Sequence, residues 1–222
     1  MKCAKDFCMT SKEVILARSK SSGEWLKAHF KDEYVKKAQQ EGLRSRAVYK
    51  LKEIQEKDFI LKPGSTVIDL GAAPGGWSVY ARDCIGDKGL MIASDILPMD
   101  SIAGVEFIQG DFREQEVLDK LLAVLKGRKI DLVMSDIAPN MTGNKAVDIP
   151  RATYLCELAF EFAKEELKPG GTLLFKFFHG EGVEPLLKEI RTHFKKVVIR
   201  KPKASSSKSR EAYLLAKGYV PN

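Results

Sequence analysis

The segment from Val67 to Trp77 constrains the fold of this chain most strongly. Its sequence is Val-Ile-Asp-Leu-Gly-Ala-Ala-Pro-Gly-Gly-Trp, so an apolar run ends in an acid and is followed by a turn of small residues. Small residues leave the turn's backbone open to a ligand, and amides at the start of the next helix favour polar or anionic groups. The segment lacks the G-x-G-x-x-G dinucleotide pattern and the Gly-Lys-Ser/Thr of a phosphate-binding loop. We therefore predict a strand, a ligand-binding turn and a helix.

From Pro63 onward the sequence alternates between strand-like and helix-like segments. This alternation indicates a mainly parallel sheet that is covered by helices on both faces. No helical segment separates the last two strands, which predicts a terminal hairpin with an antiparallel strand. The predicted fold class is α/β, with a Rossmann-like, mostly parallel seven-stranded sheet. The predicted strands are 65–70, 89–95, 104–109, 130–136, 171–178, 195–200 and 211–217, and the predicted helices lie near 75–85, 113–126, 150–167 and 182–193.

The first part of the chain differs in character from the alternating part. We interpret residues 1–20 as a flexible basic leader and residues 21–222 as a single domain, which begins with N-terminal helices over 21–62. A helix is predicted from Glu24 to about Gln40, and a second from about Ser45 to Lys57. Lys50 falls on the apolar stripe of the second helix. It either extends along the surface to water or points into a site.

Charge is distributed unevenly along the 222 residues. Residues 1–62 carry 15 lysines and arginines against 9 acids, residues 63–187 carry 12 against 19, and residues 188–222 carry 10 against 2. Basic ends that border one cleft would form a face for a polyanion, most simply nucleic acid. The alternative is a set of solvated lysines, because sequence alone does not place charges on a face.

Localisation and metal binding are constrained by what the sequence lacks. Its apolar runs are too short to span a bilayer, and Val14 to Leu16 is too brief for a signal-peptide core. We therefore expect a cytoplasmic protein without a membrane partner. The four cysteines form no C-x-x-C pair, so we predict free thiols and no metal site. The sequence does not determine the oligomeric state, and a monomer is our expectation.

Four acids fall at the carboxyl ends of predicted strands, where ligands bind in open α/β sheets. Asp69, Asp95, Asp111 and Asp136 end the first four strands in turn. An acid at the position of Asp95 normally accepts hydrogen bonds from the ribose of an adenine cofactor. Asp111 could reach the adenine amino group. Any one of these acids could instead cap a helix, but four in register favour a binding site.

Lys176 lies within an apolar segment that should form a buried central strand. Burying an unpaired ammonium is costly, so this lysine needs a carboxylate partner, a function or both. The alternative is a lysine at the strand end that reaches solvent. Glu211 begins the final strand and is a possible neighbour of Lys176, although its spacing does not establish this.

Four segments together resemble the FtsJ family of ribosomal RNA 2′-O-methyltransferases, which use S-adenosylmethionine. The segments are Asp69–Trp77, Ser135–Asn140, Gly42–Ala47 and Ser209–Glu211. The resemblance covers about residues 22–218 and is especially close to the bacterial large-subunit enzyme. It implies the methyltransferase form of the Rossmann-like fold, with S-adenosylmethionine as cofactor and S-adenosylhomocysteine as product.

The resemblance also implies the site residues. The family's Lys-Asp-Lys-Glu tetrad matches Lys50, Asp136, Lys176 and Glu211. Its cofactor contacts match Gly75, Trp77, Asp95, Asp111 and Asp136. By this resemblance Lys176 is the general base or the residue that orients the target ribose hydroxyl, and the sequence leaves both roles open.

The implied reaction is 2′-O-methylation of a uridine in the A loop of 23S rRNA within the large (50S) ribosomal subunit. Alternatives are methylation of tRNA or capped mRNA, a non-catalytic ribosome-assembly factor, and a nicotinamide oxidoreductase, which the spacing of the turn disfavours. Eight basic residues are candidates for holding RNA phosphates beside the tetrad. They are Lys36, Lys37, Arg44, Arg46, Lys196, Arg200, Lys201 and Arg210.

Overall fold

A computed structural model describes residues 32–180, 182–206 and 209–221. The predicted leader, 1–20, and the first part of the predicted helix from Glu24 lie outside the described residues. The helices are α1 (Glu33–Gln40), α2 (Val48–Asp58), α3 (Gly76–Ile85), α4 (Gln115–Leu125), α5 (Lys145–Glu166) and α6 (Val183–His193). The strands are β1 (Thr66–Leu70), β2 (Leu90–Asp95), β3 (Val105–Gln109), β4 (Ile130–Ser135), β5 (Leu167–Phe178), β6 (Phe194–Arg200) and β7 (Glu211–Tyr219).

The seven strands form one sheet in the order β3-β2-β1-β4-β5-β7-β6. Strands β1 to β5 pair in parallel, whereas β7 pairs antiparallel with both β5 and β6. This confirms the predicted fold class and the terminal antiparallel hairpin. The strand order reverses between β1 and β4, and open α/β sheets bind ligands at such a reversal, beyond the carboxyl ends of the strands.

Helices cover both faces of the sheet. Helices α4, α5 and α6 pack on one face through a core that includes Leu121, Phe160 and Ile190. Helices α2 and α3 pack on the other face through a core that includes Ile54 and Trp77. Each fully buried aliphatic side chain contributes about 1.5–3 kcal/mol, so the two cores fix the strand ends firmly. No helix in the described ranges is long and apolar enough to cross a membrane.

The start of α5 differs from the prediction. The helix begins at Lys145, where the Asn144 side chain accepts a hydrogen bond of 3.0 Å from the Ala146 amide. The predicted helix lay near 150–167, so the observed helix begins about five residues earlier than predicted. Here Pro150 lies inside the helix near its N-terminus, where its missing N–H removes a single helical hydrogen bond.

The serine- and lysine-rich segment between β6 and β7 would be expected from its composition to be mobile, but its described part packs against the protein. Ala204 and Ser205 are buried. The Ala204 carbonyl accepts a hydrogen bond of 2.9 Å from Arg46, and the Lys203 amide donates one of 2.7 Å to Glu53. The N-terminal helices therefore hold residues 201–206 beside the start of β7.

Candidate active site

The carboxyl ends of the strands surround a cavity of about 460 Å³. Asp95 and Asp136 line it, as does Asp111, and Asp69 lies near the end of β1 behind the turn. The predicted alignment of the four acids is therefore observed at one edge of the sheet. No group of three or more His, Cys, Asp and Glu side chains suited to a metal ion occurs in the described part of the chain.

Glycine is required at two positions of the turn after β1. Gly71 has φ +76°, and a Cβ atom there would lie 2.1 Å from Cγ1 of Ile137. Gly75 has φ +99°, and a Cβ atom there would lie 2.7 Å from Sδ of Met99. Side chains rarely adopt such backbone angles, so both positions combine a conformational and a steric demand. The two glycines therefore let the turn pack closely against neighbouring segments, and Gly71 also lines the cavity.

Asp95 joins this turn to the end of β2. One carboxylate oxygen accepts a hydrogen bond of 2.9 Å from the Ala73 amide, and the other accepts one of 2.8 Å from the Leu97 amide. An ionised carboxylate offers about four lone-pair sites, so accepting sites remain after these two bonds. Asp95 thus stabilises the turn through these two bonds and can also accept a hydrogen bond from a ligand in the cavity.

Asp69 is buried, and its two carboxylate oxygens have different surroundings. Oδ2 accepts a hydrogen bond of 2.6 Å from the Ser78 hydroxyl, whereas Oδ1 has no hydrogen-bond partner within the described residues. Burial, with added repulsion from Asp136 and Asp95, raises the pKa of Asp69 to about 7. A buried acceptor without a partner is costly, which makes this oxygen a candidate for contact with a donor or a cation.

Asp111 is already engaged in the structure. The Arg113 guanidinium donates to both carboxylate oxygens, with Nε lying 2.8 Å and 2.9 Å from them. These hydrogen bonds lower the pKa of Asp111. The sequence predicted that Asp111 could reach an adenine amino group. A ligand at this end of the cavity would share Asp111 with Arg113.

The four tetrad residues come together as two lysine–carboxylate pairs. Lys50 Nζ lies 2.7 Å from Glu211 Oε1, and Lys176 Nζ lies 3.1 Å from Asp136 Oδ1. Lys176 also donates a hydrogen bond of 2.5 Å to the Asp136 carbonyl. Both lysines are buried, at 5% and 9% exposure for Lys50 and Lys176. Lys176 therefore has a carboxylate partner, as its position in an apolar strand required.

Tyr213, which the sequence analysis did not identify, connects these two pairs. Its hydroxyl accepts a hydrogen bond of 3.0 Å from Lys50 Nζ and donates one of 2.6 Å to Asp136 Oδ1. The register of β5 and β7 places Tyr213 directly opposite Lys176. Glu211 precedes Tyr213 by two residues, and alternate residues of a strand share a face. The spacing of two residues between Glu211 and Tyr213 could therefore have predicted that Tyr213 lies on the same face of the strand as Glu211.

The electrostatics of the cluster follow from this arrangement. Burial alone would raise the pKa of Asp136, but the charges of Lys176 and Lys50 and the Tyr213 hydroxyl hold that pKa below its usual value. Burial and the nearby Asp136 and Glu211 carboxylates raise the pKa of Tyr213 well above its usual value. Asp136 is therefore ionised and Tyr213 protonated near neutral pH.

Trp77 lies beside this cluster, with an indole that is 3% exposed. Its Nε1 donates a hydrogen bond of 2.7 Å to the Ala47 carbonyl, and its ring lies 5.7 Å from that of Tyr213. The side chain thus fastens the N-terminal helices to the site.

Most of the basic residues proposed for RNA already have partners within the protein. Arg44 donates to the carbonyls of Pro74, Asp100 and Ser101 at 3.3, 2.8 and 2.9 Å. Charge in the sequence could not reveal these internal partners. Arg46 pairs with Asp32, Arg200 with Asp58 and Lys37 with Glu41, and Lys201 donates to the Ser209 and Glu211 carbonyls.

Three of the proposed RNA contacts are still available. Lys36, Lys196 and Arg210 are exposed, and their side chains make no ion pair with any described residue. Among the eight candidates, these three side chains are therefore the ones that no described residue holds in an ion pair or a hydrogen bond.

The FtsJ-like methyltransferase family model matches residues 43–219. Ribosomal RNA large subunit methyltransferase E of Legionella pneumophila (strain Corby) is 60% identical over 204 residues, which cover 92% of this chain and 99% of that protein. The protein of the same name from Chromohalobacter salexigens is 61% identical over 201 residues, with coverages of 90% and 96%.

Solved structures give a consistent result. A Plasmodium falciparum protein assigned as a ribosomal RNA methyltransferase matches with a TM-score of 0.74 and 32% identity, covering 81% of this chain and all of that one. A Clostridium thermocellum protein assigned as an rRNA methylase matches with a TM-score of 0.54 and 15% identity, covering 77% of this chain and 97% of its own, which supports the fold alone. The resemblance drawn from the sequence is confirmed, and the chain belongs to the FtsJ-like methyltransferase family.

Proposed function

We propose that this methyltransferase transfers a methyl group from S-adenosylmethionine to the 2′ oxygen of a uridine ribose in the A loop of 23S rRNA. We further propose that it acts as a cytoplasmic monomer on the large ribosomal subunit. The observation that carries the proposal is the pair of buried lysine–carboxylate contacts, Lys50–Glu211 and Lys176–Asp136, beside the cavity. Relatives at 60% and 61% identity are named for large-subunit ribosomal RNA.

The residues around the cavity fit S-adenosylmethionine. The bare backbone of the turn between Gly71 and Gly75 would admit the cofactor, and Asp95 would accept from its ribose hydroxyls. Asp69 lies behind the turn and does not line the cavity, so we assign it no direct contact with the cofactor. Asp111 would take the adenine amino group while it shares its carboxylate with Arg113. The Trp77 side chain is buried, so we expect Trp77 to contact the cofactor through its backbone.

The cofactor supplies a methyl group on a sulfonium, which is already a good leaving group. The protein therefore has to position the ribose hydroxyl and to remove or redirect its proton. Lys176 Nζ is the atom suited to this task, and Asp136 holds it in place through a carboxylate oxygen and a carbonyl. An ammonium has three N–H groups, so one would still be available to hold the 2′ oxygen. A neutral amine would instead accept the proton.

The test is methyl transfer from labelled S-adenosylmethionine to large ribosomal subunits isolated from cells that lack this protein. We expect label at one uridine ribose of the A loop, located by mapping the modified nucleotide. Lys176→Ala should abolish transfer. Lys168→Ala is the matched control, because Lys168 lies on the same strand but is exposed and pairs with Asp131 away from the site.

Two results would contradict the proposal. Label that maps to tRNA or to capped mRNA, offered in parallel, would assign a different RNA to the same site. Confirmed binding of S-adenosylmethionine without transfer to any of these RNAs would favour a non-catalytic assembly factor.

A further inference from the structure

Tyr213 occupies a position that packing alone does not explain. The side chain is fully buried, yet its hydroxyl lies between two charged pairs, 3.0 Å from Lys50 Nζ and 2.6 Å from Asp136 Oδ1. A phenylalanine would retain the ring contact with Trp77 and the apolar neighbours of Tyr213. Only the hydroxyl requires tyrosine here, so its role has to be sought in these two hydrogen bonds.

The direction of the two hydrogen bonds is fixed by charge. Lys50 is a donor without an accepting site, so the Tyr213 oxygen must accept from it. The single hydroxyl proton is then directed at Asp136, which is ionised and accepts. Lys50 is itself held by Glu211 at 2.7 Å. Glu211, Lys50, Tyr213, Asp136 and Lys176 therefore form one continuous chain of polar contacts.

This chain ends at Lys176 Nζ, the amine proposed above to position the ribose hydroxyl. Oδ1 of Asp136 receives both the Tyr213 hydroxyl at 2.6 Å and Lys176 Nζ at 3.1 Å. The tyrosine therefore restricts where this oxygen lies, and the oxygen restricts where the Lys176 amine lies. Misplacing a reacting group by about 1 Å lowers the rate by about 100-fold.

We propose that Tyr213 is a positioning residue for methyl transfer, whose hydroxyl joins the Lys50–Glu211 pair to the Lys176–Asp136 pair and so orients Lys176. The proposal rests on the proposed function, because it assigns a role within the same reaction. In this proposal Lys50 acts at a distance from the substrate. By donating to the Tyr213 oxygen, it keeps the hydroxyl proton directed at Asp136.

The test compares Tyr213→Phe with Tyr219→Phe. Tyr219 lies on the same strand, is also buried and donates a hydrogen bond of 2.7 Å to the Lys164 carbonyl, so its variant loses a similar bond outside the site. We expect Tyr213→Phe to lower kcat about 10- to 100-fold, with KM for S-adenosylmethionine and for large subunits changed less than about threefold. Tyr219→Phe should keep kcat within about twofold, and thermal unfolding should show that both variants are folded.

A second readout does not require turnover. In protein labelled with ¹⁵N-lysine, the Nζ signals of Lys50 and Lys176 are assigned with Lys→Arg variants and followed by NMR. Tyr213→Phe should shift both signals, although its hydroxyl bonds directly to Lys50 alone. Tyr219→Phe should shift neither.

The outcomes are distinct. A kcat for Tyr213→Phe within threefold of the wild type, an equal loss of kcat in both variants, or an unmoved Lys176 signal would overturn the proposal. If the wild type methylates no RNA, the proposed function fails. The NMR comparison would then still decide whether Tyr213 couples the two lysines.

Discussion

Among the lysines in the described part of the chain, two are buried, and each lies against a carboxylate. Lys50 and Lys176 are less than one-tenth exposed, and their partners Glu211 and Asp136 lie at 2.7 Å and 3.1 Å. Removing one member of a buried pair leaves an uncompensated charge, which costs about 3–5 kcal/mol. Variants of these residues must therefore be checked for folding before a loss of activity is assigned to chemistry.

Replacing Lys176 by arginine tests its chemical role. We expect Lys176→Arg to lower kcat about 100-fold or more, because a guanidinium does not give up its proton and its planar fork does not match a single Nζ position. The measurement is the pH–rate profile of folded variant and wild type. Near-normal activity of the arginine variant would show that positive charge suffices and would rule out a base role for Lys176.

Asp69 predicts a pH dependence of stability. Burial raises its pKa from 3.8 to about 7, so the folded protein binds a proton that the unfolded chain releases. The native state therefore loses stability as pH rises from about 4 to about 7. At about 1.36 kcal/mol for each pH unit, the loss is on the order of 4 kcal/mol. Asp69→Asn removes this titration.

The measurement is the free energy of unfolding from denaturant curves at pH 5 and pH 8, without cofactor. Wild-type protein should be less stable at pH 8 by an amount that the Asp69→Asn variant does not show. Asp83→Asn is the control, because Asp83 is exposed. Equal losses in the wild type and Asp69→Asn would contradict the prediction.

Between elements, Arg44 connects the N-terminal helices to the ligand-binding turn. Its guanidinium bonds to the Pro74 carbonyl in the turn and to Asp100 and Ser101 in the segment after β2. These segments border Gly75, where a Cβ atom would lie 2.8 Å from Ile102 Cδ1 and 3.4 Å from Arg44 Cδ. We therefore propose that Arg44 supports the cofactor site rather than an RNA phosphate.

This assignment predicts different effects for substitutions of Arg44 and Lys36. Arg44→Ala should weaken binding of S-adenosylmethionine about tenfold, since three hydrogen bonds of roughly 1 kcal/mol or more each are lost and partly replaced by water. Lys36→Ala should leave that affinity unchanged and weaken RNA binding instead. Calorimetry with the cofactor and filter binding with RNA distinguish them. If Arg44→Ala weakened RNA binding and left the affinity for S-adenosylmethionine unchanged, Arg44 would instead belong to the RNA-binding face.

The predictability of each element depended on whether its signal was local. Strand ends could be predicted because apolar runs stop at acids, which located Asp95 and Asp136 correctly at the cavity. The start of α5 could not be predicted in this way. Pro150 is a residue type that favours the first turn of a helix, but the residue that caps this helix is Asn144, which lies upstream. The contacts of Tyr213 and Arg44 arise from strand register and from chain segments far apart in sequence, which no local pattern encodes.

For the molecule as a whole, charge predicts the response of RNA binding to salt. Lys36, Lys196 and Arg210 are exposed and pair with none of the described residues. Each phosphate contact changes the slope of log K against log salt by about 0.7 to 0.9. We therefore expect a slope of about −2 or steeper. Each single alanine variant should reduce the magnitude of this slope by less than one. Filter binding from low to high salt measures it, and a flat response would contradict this prediction.

Strand β7 has a consequence for how the enzyme is made. A ribosome synthesises a protein from its amino end, so β7 is produced after every other described element, yet it inserts between β5 and β6. Glu211 and Tyr213 arrive with it. A nascent chain thus contains its cofactor turn long before it contains the residues that join the two lysines. With the roles proposed for these two residues, methyl transfer becomes available only after β7 has been made. Strand β6 pairs with β7 alone, so it joins the sheet only after β7 is present.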